Sequence, residues 1–309
     1  MKLSYYSYSI EKLANGKHLL MDIRPFLQAF CKHDDVNYKN SFSHGGEHVY
    51  LLPASKSMYL FLITRNQEII KSISANDLSV GDVHDRLSLD ESIGFASYVY
   101  IEKSFFAFAS TVMAPRFSSF ALFMNNIFKS VGITKHEFVV HPLMVQSTKA
   151  DALGMPFVGK TTIQVNKESN FFEKIRDSVG GTVEEFSDVD SFEVVIKPRK
   201  RQNIDAAAKK FINAIPDSGL DKMLVRAKDE LQGQLVDLYL AGKGILSDSL
   251  DNKQEVNLYN EISTKVSSNE ILAQKIVEFE KDGKYERKRI KPIFRLHDVD
   301  SWADSIRNI

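Results

Sequence analysis

The 309-residue chain has a single cysteine, Cys31. It therefore closes no internal disulfide, and a reducing compartment is the expected setting. Cys31 sits behind Phe26 and Phe30 at helical spacing, where a small apolar residue packs rather than reacts. No apolar run approaches the eighteen residues of a spanning helix, so any action at a membrane is expected to pass through another protein. Met1 to Tyr6 lacks the long apolar core of a secretory leader, and the expected location is cytoplasmic. An excess of charge is missing too: forty Lys and Arg balance forty Asp and Glu. Attraction to nucleic acid must then come from local clusters. There is no internal repeat and no low-complexity linker.

What is present is the composition of an ordinary globular protein, with 43% hydrophobic and 26% charged residues. In the first half, residues 49–52 and 58–64 flank a polar turn, as do 96–101 and 104–111 around Glu102-Lys103, and each reads as a β-hairpin. Residues 23–33 and 117–131 carry apolar side chains at helical spacing. Further strands are expected at 138–142, 161–166 and 192–197. The second half reads as helical, with 204–212, then 220–241 on the stripe Leu224, Ala227, Leu231, Leu235 and Leu238, ended by Gly242-Lys243-Gly244. Residues 251–282 read as one long helix, or two broken near Ser267-Ser268-Asn269. Hairpins without regular strand–helix alternation predict an α+β fold of antiparallel or mixed sheets with packed helices and a helical C-terminal region. A composition shift near 247–252 divides a 1–247 region from a 248–309 extension.

Two motifs fit enzyme patterns by letter but not by context. Gly154 to Thr161 reads G-M-P-F-V-G-K-T, the spelling of a phosphate loop, which needs a strand before it and a helix after it. Here a helical stretch precedes and the β-branched Thr161-Thr162-Ile163 follows, the reverse order. His44-Gly45-Gly46-Glu47-His48 fits H-x-x-E-H, which binds zinc only when both histidines share a helix face. Two central glycines read as a turn instead. In Asp190 to Lys197, a metal-dependent nuclease would want an acid where Val195 stands, and alternation points Glu193 and Lys197 outward with Val194 and Ile196 inward.

The basic clusters carry more. From Lys197 to Lys210 the chain has Lys197, Arg199, Lys200, Arg201, Lys209 and Lys210 against the one acid Asp205. Such density neutralises phosphates without reading sequence. A second run, Lys284, Arg287, Lys288, Arg289 and Lys291, surrounds Tyr285, whose ring offers a base-stacking surface. Either run would also serve as a solvated face.

The chain resembles the phage exclusion RexA family of lambdoid phages. The likeness is carried, in order, by Asp90-Glu91-Ser92-Ile93-Gly94-Phe95, Phe108-Ala109-Ser110-Thr111-Val112 with Pro115, Pro142-Leu143-Met144 with Thr148-Lys149, and Phe157 to Thr162. It continues through Asp190-Ser191, Val195-Ile196-Lys197-Pro198, Arg226 to Glu230, Tyr239-Leu240 and Lys243-Gly244, and departs after about Ser247. The resemblance implies a cytoplasmic, non-enzymatic, dimeric DNA-binding protein that senses phage DNA–protein complexes. It also implies a membrane effector of the RexB type as partner. No catalytic residue, metal or cofactor is expected. The expected phosphate contacts are Lys197, Arg199, Lys200, Arg201, Lys209 and Lys210, with Lys160, Arg226 and Lys228 beside them; Arg226 and Lys228 have helical ion pairing with Asp229 or Glu230 as an alternative. Two other readings stay open: a metal-dependent nuclease or nucleotide hydrolase of a defence system, and a protein-interaction subunit that binds no DNA.

Overall fold

The computed structural model describes residues 1–65, 70–73, 80–88, 91–199, 202–214, 220–228, 236–252 and 254–287. Its helices and strands, the latter in antiparallel and mixed sheets, make an α+β protein. The chain forms two compact units, one from residues 1–143 with 252–309 and the other from 144–251.

The first unit is built on a large sheet. Its central strand, Lys2–Lys12, pairs antiparallel with Phe105–Ser110, His136–Pro142 and Lys17–Leu20. Phe105–Ser110 continues into Gly94–Ile101, Met58–Thr64 and Glu47–Pro53, so both expected hairpins form. Leu3 and Tyr5 to Ile10 are all buried, because helices lie on both sides of this strand. On one face Phe106, Phe61 and Phe138 meet Phe120 of helix Phe117–Ser130. Phe26 of helix Arg24–Lys32 packs edge-on against Phe128 of helix Phe117–Ser130. On the opposite face lie helices Glu255–Ser268 and Glu270–Lys281: Tyr259 meets Tyr98, Glu280 accepts from Ser104, and Phe279 touches His141. The two helices break at Asn269, whose side chain accepts from Leu272 N and caps the second. Strand Tyr285–Arg287 then runs parallel to Lys17–Leu20.

The second unit has a four-stranded antiparallel sheet in the order Ser191–Ile196, Phe157–Asn166, Leu220–Lys228, Val236–Ala241. Its core is Val158, Ile163, Val165, Met223, Val225 and Ala227 from the sheet, with Ala152, Phe172, Ala208 and Ile212 from helices Lys149–Leu153, Asn170–Ser178 and Asp205–Ala214. The expected helix over 220–241 is corrected here: 220–228 and 236–241 are paired strands. Leu224, Ala227 and Leu238 do fit a helical stripe, but Met223, Val225 and Ala227 also alternate. Pairing with Phe157–Asn166 lets that second pattern bury its apolar set, and tertiary context overrides local helix preference. Gly242, at φ 75°, turns the chain where an added Cβ would sit 3.0 Å from Asp221 O.

A candidate nucleic-acid interface

The three described helices of the second unit all contribute to one apolar layer, so the other face of its sheet is governed by the residues of opposite parity. On Leu220–Lys228 these are Lys222, Leu224, Arg226 and Lys228. On Phe157–Asn166 they are Phe157, Lys160, Thr162 and Gln164, brought into step by a bulge between Val158 and Lys160. On Ser191–Ile196 they are Ser191, Glu193 and Val195, and Lys197 follows in the same alternation.

The pairing registers turn this list into rows. Lys160 lies opposite Arg226, and Arg226 opposite Asp237, with Lys197 next in line on the far side of Lys160. One step along, Val195, Thr162, Leu224 and Tyr239 form an adjacent row. The next row is Glu193, Gln164 and Lys222. Beyond the cation row, Lys228 Nζ sits 5.2 Å from the centre of the Phe157 ring. Five cations thus share one face, free of helices among the described residues, with the carboxylates Glu193 and Asp237. Among the described residues no carboxylate pairs with Lys160, Lys197 or Lys222.

Arg226 donates from Nε to Asp237 Oδ1 at 2.8 Å. That bond raises the guanidinium pKa further, so Arg226 stays charged at any working pH. It also replaces the expected pairing along a helix: the partner lies across a strand pair. Arg199 is exposed and opens a turn closed by Gln202 N to Arg199 O at 2.9 Å. Asn203 anchors the end of that connection to the sheet, its Oδ1 accepting from Val158 N at 2.9 Å.

The expected cations fall into separate places. Lys160, Lys197, Arg226 and Lys228 come together on the bare face. Lys209 and Lys210 lie on helix Asp205–Ala214, which covers the other face, and Lys209 is held by Asp205 at 2.9 Å. Lys200 and Arg201 lie outside the described residues. Lys222 was missed because a helical reading hides the alternation of Lys222, Leu224, Arg226 and Lys228.

The other motifs resolve in the first context that physics allowed. Gly154 caps helix Lys149–Leu153, and Gly159-Lys160-Thr161 lie within a strand, so no loop closes around a phosphate. His44 and His48 lie on paired strands around Gly45 and Gly46, both at positive φ, and His48 Nδ1 lies 3.0 Å from Asn40 O. Glu193 faces out and Val194 and Ile196 in, as alternation required. Among the described residues no three His, Cys, Asp or Glu side chains converge as a metal site needs. Of the second basic run, Lys284 and Arg287 are described and Lys288, Arg289 and Lys291 are not. Arg287 pairs with Glu280, and the Tyr285 ring packs 4.2 Å from Phe279, which corrects its reading as a free stacking surface. Among the described residues no helix is long and apolar enough to cross a membrane.

Residues 1–235 match the RexA family, described as "Intracellular sensor of Lambda phage, Abi component". Protein rexA of Escherichia phage lambda is 32% identical over 220 residues, covering 71% of this chain and 78% of the relative. Protein rexA of Enterobacteria phage 434 matches to the same extent. The match takes in the N-terminal sheet as well as the strands that carry the bare cationic face.

Proposed function

The chain belongs to the RexA family, and on that premise we propose that it is the DNA-binding sensor of a phage-exclusion system, holding the phosphate backbone on the bare face of its second sheet. The observation that carries this reading is the convergence of Lys160, Lys222, Arg226 and Lys228 from two strands, with Lys197 just past the end of a third, onto one surface that is free of helices among the described residues. Cations on a sheet face that packs against none of the described helices, around the buried Thr162, give contacts to phosphate that are independent of base sequence and steeply dependent on salt. Arg199 extends the patch at the sheet's end. Binding rather than turnover is the activity, exerted by a cytoplasmic homodimer. An effector of the RexB type in the membrane receives the signal. The family description supports the sensor role.

The test is fluorescence anisotropy on a labelled duplex of arbitrary sequence, with and without magnesium, across a salt series. Lys160→Gln with Arg226→Gln is expected to weaken binding about 100-fold at 100 mM salt and to reduce the log–log salt slope by about 2. Unchanged affinity and slope in a folded double variant would remove the assignment. Cleavage of the duplex on adding magnesium would favour a nuclease instead.

A further inference from the structure

The bare sheet face carries more than charge, and its order suggests what lies on it. Beside the row Lys197, Lys160 and Arg226 runs a row of low polarity, Val195, Thr162, Leu224 and Tyr239, displaced by two residues along each strand. Two residues of strand separate the rows by about 6.8 Å, roughly the separation between a phosphate and its own base. Val195 is 37% exposed although it is a large aliphatic residue in a sheet. Tyr239 is fixed: an added Cβ on Gly244 would fall 1.9 Å from its ring, so that glycine leaves the space the ring occupies. Phe157 supplies a second ring on the other side of the cations, under Lys228.

A duplex uses only half of this arrangement. Four strands at about 4.8 Å spacing span about 14 Å before side chains are added, more than the roughly 12 Å of a major groove. The face cannot enter the groove, and a duplex resting on it meets the cations through phosphate while its bases stay stacked inside. Unpaired nucleotides use both rows, phosphates on the cations and base faces on Val195, Leu224 and Tyr239.

Resting on the DNA-binding reading above, we infer that this face takes single-stranded DNA in preference to duplex, with the Val195–Tyr239 row as its base platform. The preferred target is then a stretch of unpaired nucleotides of any sequence.

The experiment compares a labelled 20-nucleotide oligothymidine with a 20-base-pair duplex at one salt concentration, using the full chain. The single strand is expected to bind at least about ten-fold more tightly. Val195→Ser, at an exposed position with little risk to folding, and Tyr239→Ala should each cost the single strand about five- to ten-fold while leaving duplex affinity within two-fold. Tyr239→Phe should restore the wild-type value, since the ring and not the hydroxyl is used. Equal or tighter duplex binding, or platform variants that leave the single strand unaffected, overturns the inference and leaves general DNA binding standing. If Lys160→Gln with Arg226→Gln changes neither ligand's affinity, the DNA-binding reading falls as well.

Discussion

The two sheets of this protein are made by the same alternation and put to opposite ends. In the first unit Tyr5 and Tyr8, on opposite faces of one strand, are both fully buried, because the Phe117–Ser130 helix covers one side and the 255–281 helices the other. In the second, Val225 is fully buried and its neighbour Arg226 is exposed. Burying Lys160, Lys222 and Arg226 together would demand several kcal/mol per unpaired charge, more than their stems could return as hydrophobic burial. Charge on alternate positions therefore keeps one face of the second sheet open. A sheet with apolar or neutral residues at both parities becomes scaffold, and one with cations at a single parity becomes a surface.

The largest expected effect tests the scaffold half of that contrast. Phe120 is fully buried and its ring lies 5.5 Å from both Phe61 and Phe106. Phe120→Ala should cost about 4 kcal/mol in urea unfolding, whereas Lys222→Ala on the bare face should stay within about 0.5 kcal/mol. A Lys222 variant that unfolded as readily would mean that the charged face is structural after all.

The second contrast lies within the second unit, between its two layers. Lys197→Glu on the open face should weaken duplex binding about ten-fold, and Lys210→Glu on helix Asp205–Ala214 less than about two-fold, since only one layer of cations approaches the same phosphates. Equal losses, measured by anisotropy at fixed salt, would replace a defined face with diffuse attraction.

How much of this was legible before folding depends on whether one period dominated. Strand pairs such as 49–52 with 58–64 and 96–101 with 104–111 were readable because polar turns separate them. For 251–282 the sequence left one long helix or two open, and the Asn269 side chain accepting from Leu272 N decides for two. Residues 220–241 were not, because leucine and alanine satisfied a helical stripe while Met223, Val225 and Ala227 satisfied a strand. Only the register with Phe157–Asn166 decides between them. The site inherited that error. Charge density along the chain pointed to Lys197 to Lys210, yet a run of cations spreads over two layers when a strand, a turn and a helix follow in succession. Density in space comes instead from Lys160, Lys222 and Arg226, far apart in sequence and joined by pairing.

A smaller effect comes from titration in the scaffold sheet. Burial, with the neighbouring His18, lowers His141 to about 4, and Ser9 Oγ lies 2.7 Å from its Nε2 and 3.0 Å from His18 Nδ1. An unfolded histidine titrates near 6.5. Between those values the unfolded chain binds the extra proton, so stability is lost as pH falls from about 6.5 toward 4. Partial exposure discounts the effect to about 1 kcal/mol between pH 7.5 and 5. His141→Gln should flatten that part of a plot of Tm against pH, and an unchanged slope would assign the acid sensitivity elsewhere.

The smallest effect separates two ion pairs of similar geometry. Arg24 binds Asp22 at 2.7 Å and Glu102 at 2.7 Å in the scaffold unit, with all three side chains less than a third exposed. Arg226 binds Asp237 at 2.8 Å on the bare face. Asp237→Asn removes a negative charge that a phosphate must otherwise meet, and loosens Arg226 for a bidentate contact. It should tighten DNA binding about three-fold and change stability by less than about 1 kcal/mol, because the guanidinium left behind is 46% exposed and stays hydrated although Asp237 itself is 14% exposed. Asp22→Asn should do the reverse, lowering stability with no change in affinity, because the guanidinium it leaves behind is partly desolvated. If Asp237→Asn instead weakened binding, the carboxylate would be orienting Arg226 for its contact, and the pair would belong to the interface rather than restrain it.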